Sequence, residues 1–203
     1  MPAYLTHTTL TSALGRGNEA TLEALRGQRG GLARNAFAGT SLDTWTGLVE
    51  HLDGVALPIG MEQFDCRSNR LAELALLQDG FADAVLAARE KYGAHRIGLY
   101  VGTSSAGILE VELGYRVRDD EVKALPDGLR YREAMNLFSP AAYVRERFEI
   151  AGPAVVVSSA CSSSAKAFAA ASRALTAGLC DAAIVGGVET LCLTTLYGFQ
   201  SLE

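Results

Sequence analysis

A chain of 203 residues, 49% of them hydrophobic and 20% charged, is long enough to bury a sizeable core and has the composition of a globular domain. Its formal net charge of −5 argues against nucleic acid as a main partner, and no apolar run approaches membrane-spanning length, so no membrane partner is expected. The four cysteines, Cys66, Cys161, Cys180 and Cys192, lack CxxC spacing and have only three histidines beside them, which points to reduced thiols rather than a zinc site or disulfide scaffold.

Met1-Pro2-Ala3-Tyr4 has no basic region leading into an apolar core, so no secretory leader is read and the cytoplasm is the expected compartment. Tyr4 to Leu10 alternates, with threonine and tyrosine, as a first strand would. Gly15-Arg16-Gly17 should turn the chain, Asn18 should cap a helix to about Arg26, and Gly27 to Gly31 should stop it. Residues 32 to 64 read as irregular, with Trp45 and Pro58 anchoring a short strand or loop; His51, like His7 and His95, reads as a surface or packing histidine. One long helix is expected from Asn69 to Tyr92, because Leu71, Leu74, Ala75, Leu77, Phe81, Ala84, Val85 and Ala88 recur at helical spacing. Gly80 would be a tolerated weak point within it and Gly93 its stop. Arg67 and Arg70 lie three apart near its start, on one face, where the helix dipole disfavours cations.

Arg96 to Val101 predicts a strand, and Gly102 to Gly107 a glycine- and serine-rich loop after it. The loop has no lysine, so a phosphate loop and nucleotide binding are disfavoured. Residues 108 to 138 form an excursion around the turn Pro126-Asp127-Gly128, and Ser139-Pro140 reads as an N-cap and first-turn proline of a helix to about Phe148. Gly152-Pro153 then introduces Ala154-Val155-Val156-Val157, an unbroken apolar run suited to a strand covered on both faces. Ser162 to Ala177 is rich in alanine without a clean polar stripe, which predicts a helix buried between layers and ended by Gly178. Asp181 to Val188 is a further strand with Gly186-Gly187 at its exit; Glu189 reads as a helix-start or network carboxylate, and Tyr197 and Phe199 mark the last segment.

The stretch that can carry chemistry is Ser158-Ser159-Ala160-Cys161-Ser162-Ser163-Ser164. It places Cys161 where a strand hands over to a helix N-terminus, whose unpaired N–H groups favour a thiolate and are candidates to hold an oxyanion on an attacked acyl group. Position alone leaves an inert packing cysteine open, and the three serines can equally be helix caps. A cysteine hydrolase would need a histidine in reach, and none of His7, His51 or His95 lies on a segment expected to approach Cys161.

Four segments, in the same order, resemble the β-ketoacyl-[acyl-carrier-protein] synthases of thiolase fold: Val101 to Gly107, Val157 to Ala165, Gly178 to Glu189 and Gly198 to Leu202. The resemblance implies an α/β chain, residues 1–203 forming the N-terminal half of a thiolase-like fold, with a mixed, mostly parallel sheet and a buried central helix after the nucleophile strand. It implies that Cys161 takes an acyl group from a carrier protein or coenzyme A. A malonyl-carrier would then lose carbon dioxide and condense with that thioester, in fatty acid or polyketide and polyene synthesis, without metal or cofactor. Ser105 and Phe199 would border the acyl pocket, Arg67 and Arg70 would help dock the acidic acyl carrier protein, and residues 108 to 138 would serve the pocket rim and a homodimer or heterodimer interface. The family's two second-half histidines, lysine and glycine-phenylalanine loop have no match here. The chain is therefore expected to be a fragment or one chain of a split assembly, inactive in condensation by itself, with an apolar face exposed over the Cys161 helix and a tendency to dimerise or aggregate. A non-catalytic partner subunit of the chain-length-factor kind stays open, although such subunits typically replace the nucleophile, as does another thiolase-fold acyltransferase.

Overall fold

The computed structural model describes residues 3–118 and 129–202. In chain order it contains a small hairpin, β1 (Thr11–Ser12) and β2 (Gly15–Arg16), helix α1 (Gly17–Arg26), and an antiparallel pair, β3 (Leu32–Arg34) and β4 (Trp45–Gly47). Helices α2 (Arg67–Leu76) and α3 (Phe81–Tyr92) lead into β5 (Ile97–Gly102). Then come α4 (Ile108–Arg116), the short α5 (Tyr131–Ala134), α6 (Ser139–Arg147), β6 (Ala154–Val157), α7 (Ser163–Thr176), β7 (Ala182–Gly187) and α8 (Leu193–Gln200). The turn expected at Pro126-Asp127-Gly128 lies outside the described residues.

The sheet that carries the site has β5 between β6 and β7, parallel to both. All six residues of β5 are buried, as a central parallel strand with a layer on each face requires. Ile97, Leu99 and Val101 face one layer, where Leu76 of α2, Val85 of α3, Val144 of α6 and Phe148 just after it close the main core. Tyr100 faces the other, against Ala167, Ala171 and Ala174 of α7. Alanines at that spacing form a low ridge, so the α7 backbone lies close on the sheet. A Cβ at Gly98 would come within 2.9 Å of the Cys180 sulfur, so this face too is filled to contact.

The valine run is a strand as expected, but β6 is an edge strand, and Val155 is exposed rather than covered. Helix α7 buries one stripe on the sheet and turns Ala165, Ala169 and Phe168, 44% exposed, outward. Among the described residues no layer covers that outer face. No helix among them is long and apolar enough to cross a membrane.

Several local expectations give way to tertiary contacts. Tyr4 to Leu10 forms no strand, because no partner strand lies beside it among the described residues; the Asn18 amide nitrogen donates to the Thr8 carbonyl at 2.7 Å and the Gly17 N–H to that of Leu10 at 2.8 Å. Asn18 therefore does not cap α1, and Arg16 takes the N-cap position. The expected turn at Gly15-Arg16-Gly17 is instead the second strand of a hairpin and the first residue of α1. The long helix from Asn69 to Tyr92 is two helices, starting at Arg67 and broken where Asp79 and Gly80 adopt φ of +55° and +68°. The break has a use: the Asp79 carboxylate accepts the Asn18 N–H and caps α1 from across the fold. Ser139 is the first residue of α6 and not its cap; its hydroxyl sits 2.9 Å from the Asn69 amide nitrogen.

Two more helices start on carboxylates supplied from elsewhere. Glu110 accepts the Arg67 N–H of α2 at 2.8 Å, and Glu112 accepts the N–H groups of Leu193 and Thr194 of α8 at 2.8 and 2.6 Å. Both acids belong to α4, two residues apart, so this one helix ties α2 to α8. Deep between α2 and α6 lies a third carboxylate, Glu73, 3% exposed, which accepts the Tyr143 hydroxyl at 2.5 Å and lies 3.3 Å from the Arg147 Nε.

Candidate active site

Between the end of β6 and the start of α7 the chain turns through residues 158–162, with Ala160 in the left-handed region at φ +50°. That conformation costs a residue with a Cβ roughly 1–2 kcal/mol, and the neighbouring serines hold it. The Ser163 hydroxyl donates to the Ala160 carbonyl at 2.7 Å and accepts the Ser159 N–H at 2.9 Å, while the Ser162 hydroxyl donates to the Ser159 carbonyl at 2.9 Å. Ser162 occupies the N-cap position of α7 without making a side-chain cap. These serines clamp the turn. The N–H groups of Ser162 and Ser163 reach the carbonyls of Ser159 and Ala160, at 3.3 and 3.1 Å, so those two amides are engaged and do not serve as oxyanion donors.

Cys161 projects from this turn as the exposed thiol; Cys66, Cys180 and Cys192 are buried. Burial pushes the Cys66 and Cys180 thiols up, so those two stay protonated at neutral pH. The turn hangs at a definite depth because glycine stands at the ends of both neighbouring strands. A Cβ on Gly102 would fall 2.4 Å from the Ser164 backbone nitrogen and 2.6 Å from the Ser163 carbonyl carbon. On Gly187 it would fall 2.1 Å from the Ser164 Oγ. Neither site needs a special backbone angle; each needs the absence of a side chain, so that the first turn of α7 can rest on the carboxyl edge of the sheet.

Cys161 opens onto a cleft of about 620 Å³. Its walls come from residues 47–52, α2, the loop after β5, the loop after β7, and α8. Buried Ser105 and exposed Phe199 both border it. Glu189 joins the two loops: its carboxylate accepts the N–H groups of Ser104 and Ser105 and both their hydroxyls, with the Ser105 N–H and Ser104 hydroxyl at 3.0 Å. Of the two roles open for Glu189, helix start or network carboxylate, the structure has the second. None of the three histidines lines the cleft.

The two arginines, one helical turn apart, have different settings. Arg70 makes a two-pronged ion pair with Asp65 at 2.6 and 2.8 Å, and its guanidinium holds the Asp65 carboxyl below the usual carboxylate range. Arg67 instead borders the cleft, over the Phe37 ring at 5.7 Å from its centre. The cleft also uses residues that pattern reading passed over, chiefly Leu48, Val49 and Leu52 from the segment read as irregular. A pair of adjacent apolar residues in a polar loop was the available signal. Gly102 and Gly187 were visible as strand-exit glycines, but nothing local told of the helix resting on them.

The model of the β-ketoacyl synthase N-terminal domain matches residues 60–203. Among solved structures, a ketosynthase in complex with its chain length factor from Xenorhabdus doucetiae is similar with a TM-score of 0.78 and 27% identity, over 97% of this chain and 50% of that one. A β-ketoacyl synthase from Burkholderia phymatum gives a TM-score of 0.72 at 24% identity, over 97% of this chain and 49% of that one. A non-reducing polyketide synthase from Preussia isomera is 31% identical over 117 residues, 51% of this chain and 5% of the relative. The chain thus spans about half the length of these solved structures and a twentieth of that curated relative. The likeness extends over nearly the whole chain, so the chain has the thiolase fold of these ketosynthases, with its three-stranded parallel sheet and helices on both faces. By the match over residues 60–203, with the thiol-bearing turn inside it, the chain belongs to the β-ketoacyl synthase family as its N-terminal domain.

Proposed function

We propose that Cys161 is the nucleophile that accepts an acyl group in a condensing enzyme of polyketide biosynthesis. The observation that carries this reading is the exposed thiol on a clamped turn, opening onto a largely apolar cleft that can hold an acyl chain. The Cys161 sulfur attacks the thioester carbonyl, the new carbon–sulfur bond forms, and the donor thiol leaves with the proton. In the second half-reaction a malonyl thioester loses carbon dioxide, its enolate carbon attacks the Cys161 thioester, and the cysteine sulfur leaves. Decarboxylation requires hydrogen-bond donors at the enolate oxygen, and none of the three histidines lines the cleft to act as one. The polyketide synthase among the relatives favours polyketide over fatty acid synthesis. The chain-length-factor complex supports a related subunit as partner.

The test is acylation by a carrier-free octanoyl thioester, read by intact mass. The wild-type protein should gain one acyl group and Cys161→Ala none; equal labelling of both removes Cys161 from the role.

Docking of an acidic acyl carrier protein at Arg67, which borders the cleft, and at Arg70, one helical turn on, belongs to the same reading. Asp53 and Asp65 already neutralise part of that charge, so the expected effect is moderate. Arg70→Glu should slow transfer from an acyl carrier about tenfold while leaving the carrier-free thioester unchanged. Equal rates from the carrier for both proteins would place docking elsewhere.

A further inference from the structure

We propose that Arg67 sets acyl specificity in this cleft, favouring chains that carry an oxygen acceptor, such as a carbonyl, away from the thioester. The proposal rests on Cys161 being acylated in the cleft. Among the described residues that line it, Arg67 and Glu189 are the charged ones; most others are apolar or bear a hydroxyl. Glu189 is committed, taking four hydrogen bonds from Ser104 and Ser105. Arg67 is not. Its side chain is 18% exposed, yet its guanidinium makes no hydrogen bond among the described residues. Its ion pair is a long one, 3.6 Å to Asp53, whose own side chain is 73% exposed. Phe37 offers a ring face, which attracts the charge but accepts no directed hydrogen bond in the guanidinium plane.

Arg70, one helical turn on, is held differently. The chain satisfies that guanidinium with both oxygens of Asp65 and the Asp53 carbonyl. Arg67 is also the first residue of α2, where the helix dipole opposes a cation. The fold's own contacts with Arg67, a long ion pair and a ring face, leave its N–H donors without a directed acceptor, and no described residue supplies one. A ligand does: a saturated chain filling the cleft would bury the guanidinium donors unmet, whereas a chain with a carbonyl in reach would accept from them. A growing β-keto chain carries such carbonyls, so the cleft would discriminate by what its cation is left without.

The experiment is competition between equal amounts of octanoyl and terminal-region oxo-octanoyl thioesters of N-acetylcysteamine, on the intact protein, with the ratio of the two adducts on Cys161 read by mass. Carrier-free donors separate this role from docking at the rim. Wild type should favour the oxo chain, and Arg67→Met should lower the adduct ratio about tenfold, the change expected for one charge-assisted hydrogen bond. Arg67→Lys, which keeps the charge, should recover part of it. Far-UV circular dichroism and the urea midpoint identify a variant that misfolds, and Arg67→Gln then takes the place of the methionine. An unchanged ratio in folded Arg67→Met or Arg67→Gln overturns the proposal while leaving Cys161 as nucleophile. No adduct from either donor on wild type overturns the nucleophile reading, and this proposal with it.

Discussion

Replacing Gly102 with valine should unseat the first turn of α7 and abolish acyl transfer to Cys161. The atoms a side chain would strike there, the Ser164 nitrogen at 2.4 Å and the Ser163 carbonyl carbon at 2.6 Å, are backbone and cannot rotate away. Overpacking a core typically costs 1–3 kcal/mol, and with a rigid helix end as the obstacle a loss of about 3 kcal/mol is expected. The rate should suffer more, because displacing a reacting group by roughly 1 Å can cost about a hundredfold. Gly187→Ala is the informative companion. Its obstacle is the Ser164 hydroxyl, a side-chain atom that can turn aside, so its effect should be milder in both stability and rate. Urea unfolding and the initial rate of Cys161 acylation, measured on both variants, check the pair. A Gly102→Val protein that is acylated at the wild-type rate would show that the helix does not depend on this seat.

Glu73→Ala should be strongly destabilising, at about 3 kcal/mol, the low end of the cost of breaking a buried charged pair, because Glu73 is buried but Arg147 is only partly so. It leaves the Tyr143 hydroxyl and the Arg147 guanidinium without their acceptor between α2 and α6. The same site predicts how stability depends on alkaline pH. Burial, and then the adjoining Glu73 carboxylate, pushes the Tyr143 hydroxyl far above its ordinary range. Since the unfolded chain releases this proton near pH 10 and the folded one does not, the contribution is complete below about pH 10 and is lost as pH rises beyond it. The limiting slope is about 1.4 kcal/mol per pH unit for this one proton. Tyr143→Phe should flatten that alkaline limb, whatever it does to stability at neutral pH. Urea midpoints from about pH 8 to pH 11 read it directly. An unchanged limb in Tyr143→Phe would assign the alkaline loss to other groups.

Several elements could be read from local pattern because their signals are local. Apolar runs bounded by glycine mark β5, β6 and β7, the Ser139-Pro140 pair marks the start of α6, and alanine spacing marks α7. The order of strand, turn and helix around Cys161 follows from the same signals. Tyr4 to Leu10 has the composition of a strand but no neighbour to pair with among the described residues, and strand structure exists only in pairs. The run from Asn69 to Tyr92 keeps one helical period, yet Asp79 leaves the helix to meet an N–H 61 residues away in sequence. No periodicity records a contact of that range.

From residues alone, then, came the α/β class, the nucleophile candidate and the turn that presents it, because hydrophobic period, glycine and serine act over a few positions. Tertiary structure decided which strand is central and which is an edge. It also decided which cysteine reaches solvent, which glycines seat a helix, and which of two guanidinium groups finds no hydrogen-bond acceptor among the described residues. Those outcomes depend on what folding brings alongside each residue, and burial, close approach and charge pairing are properties of neighbours distant in the chain.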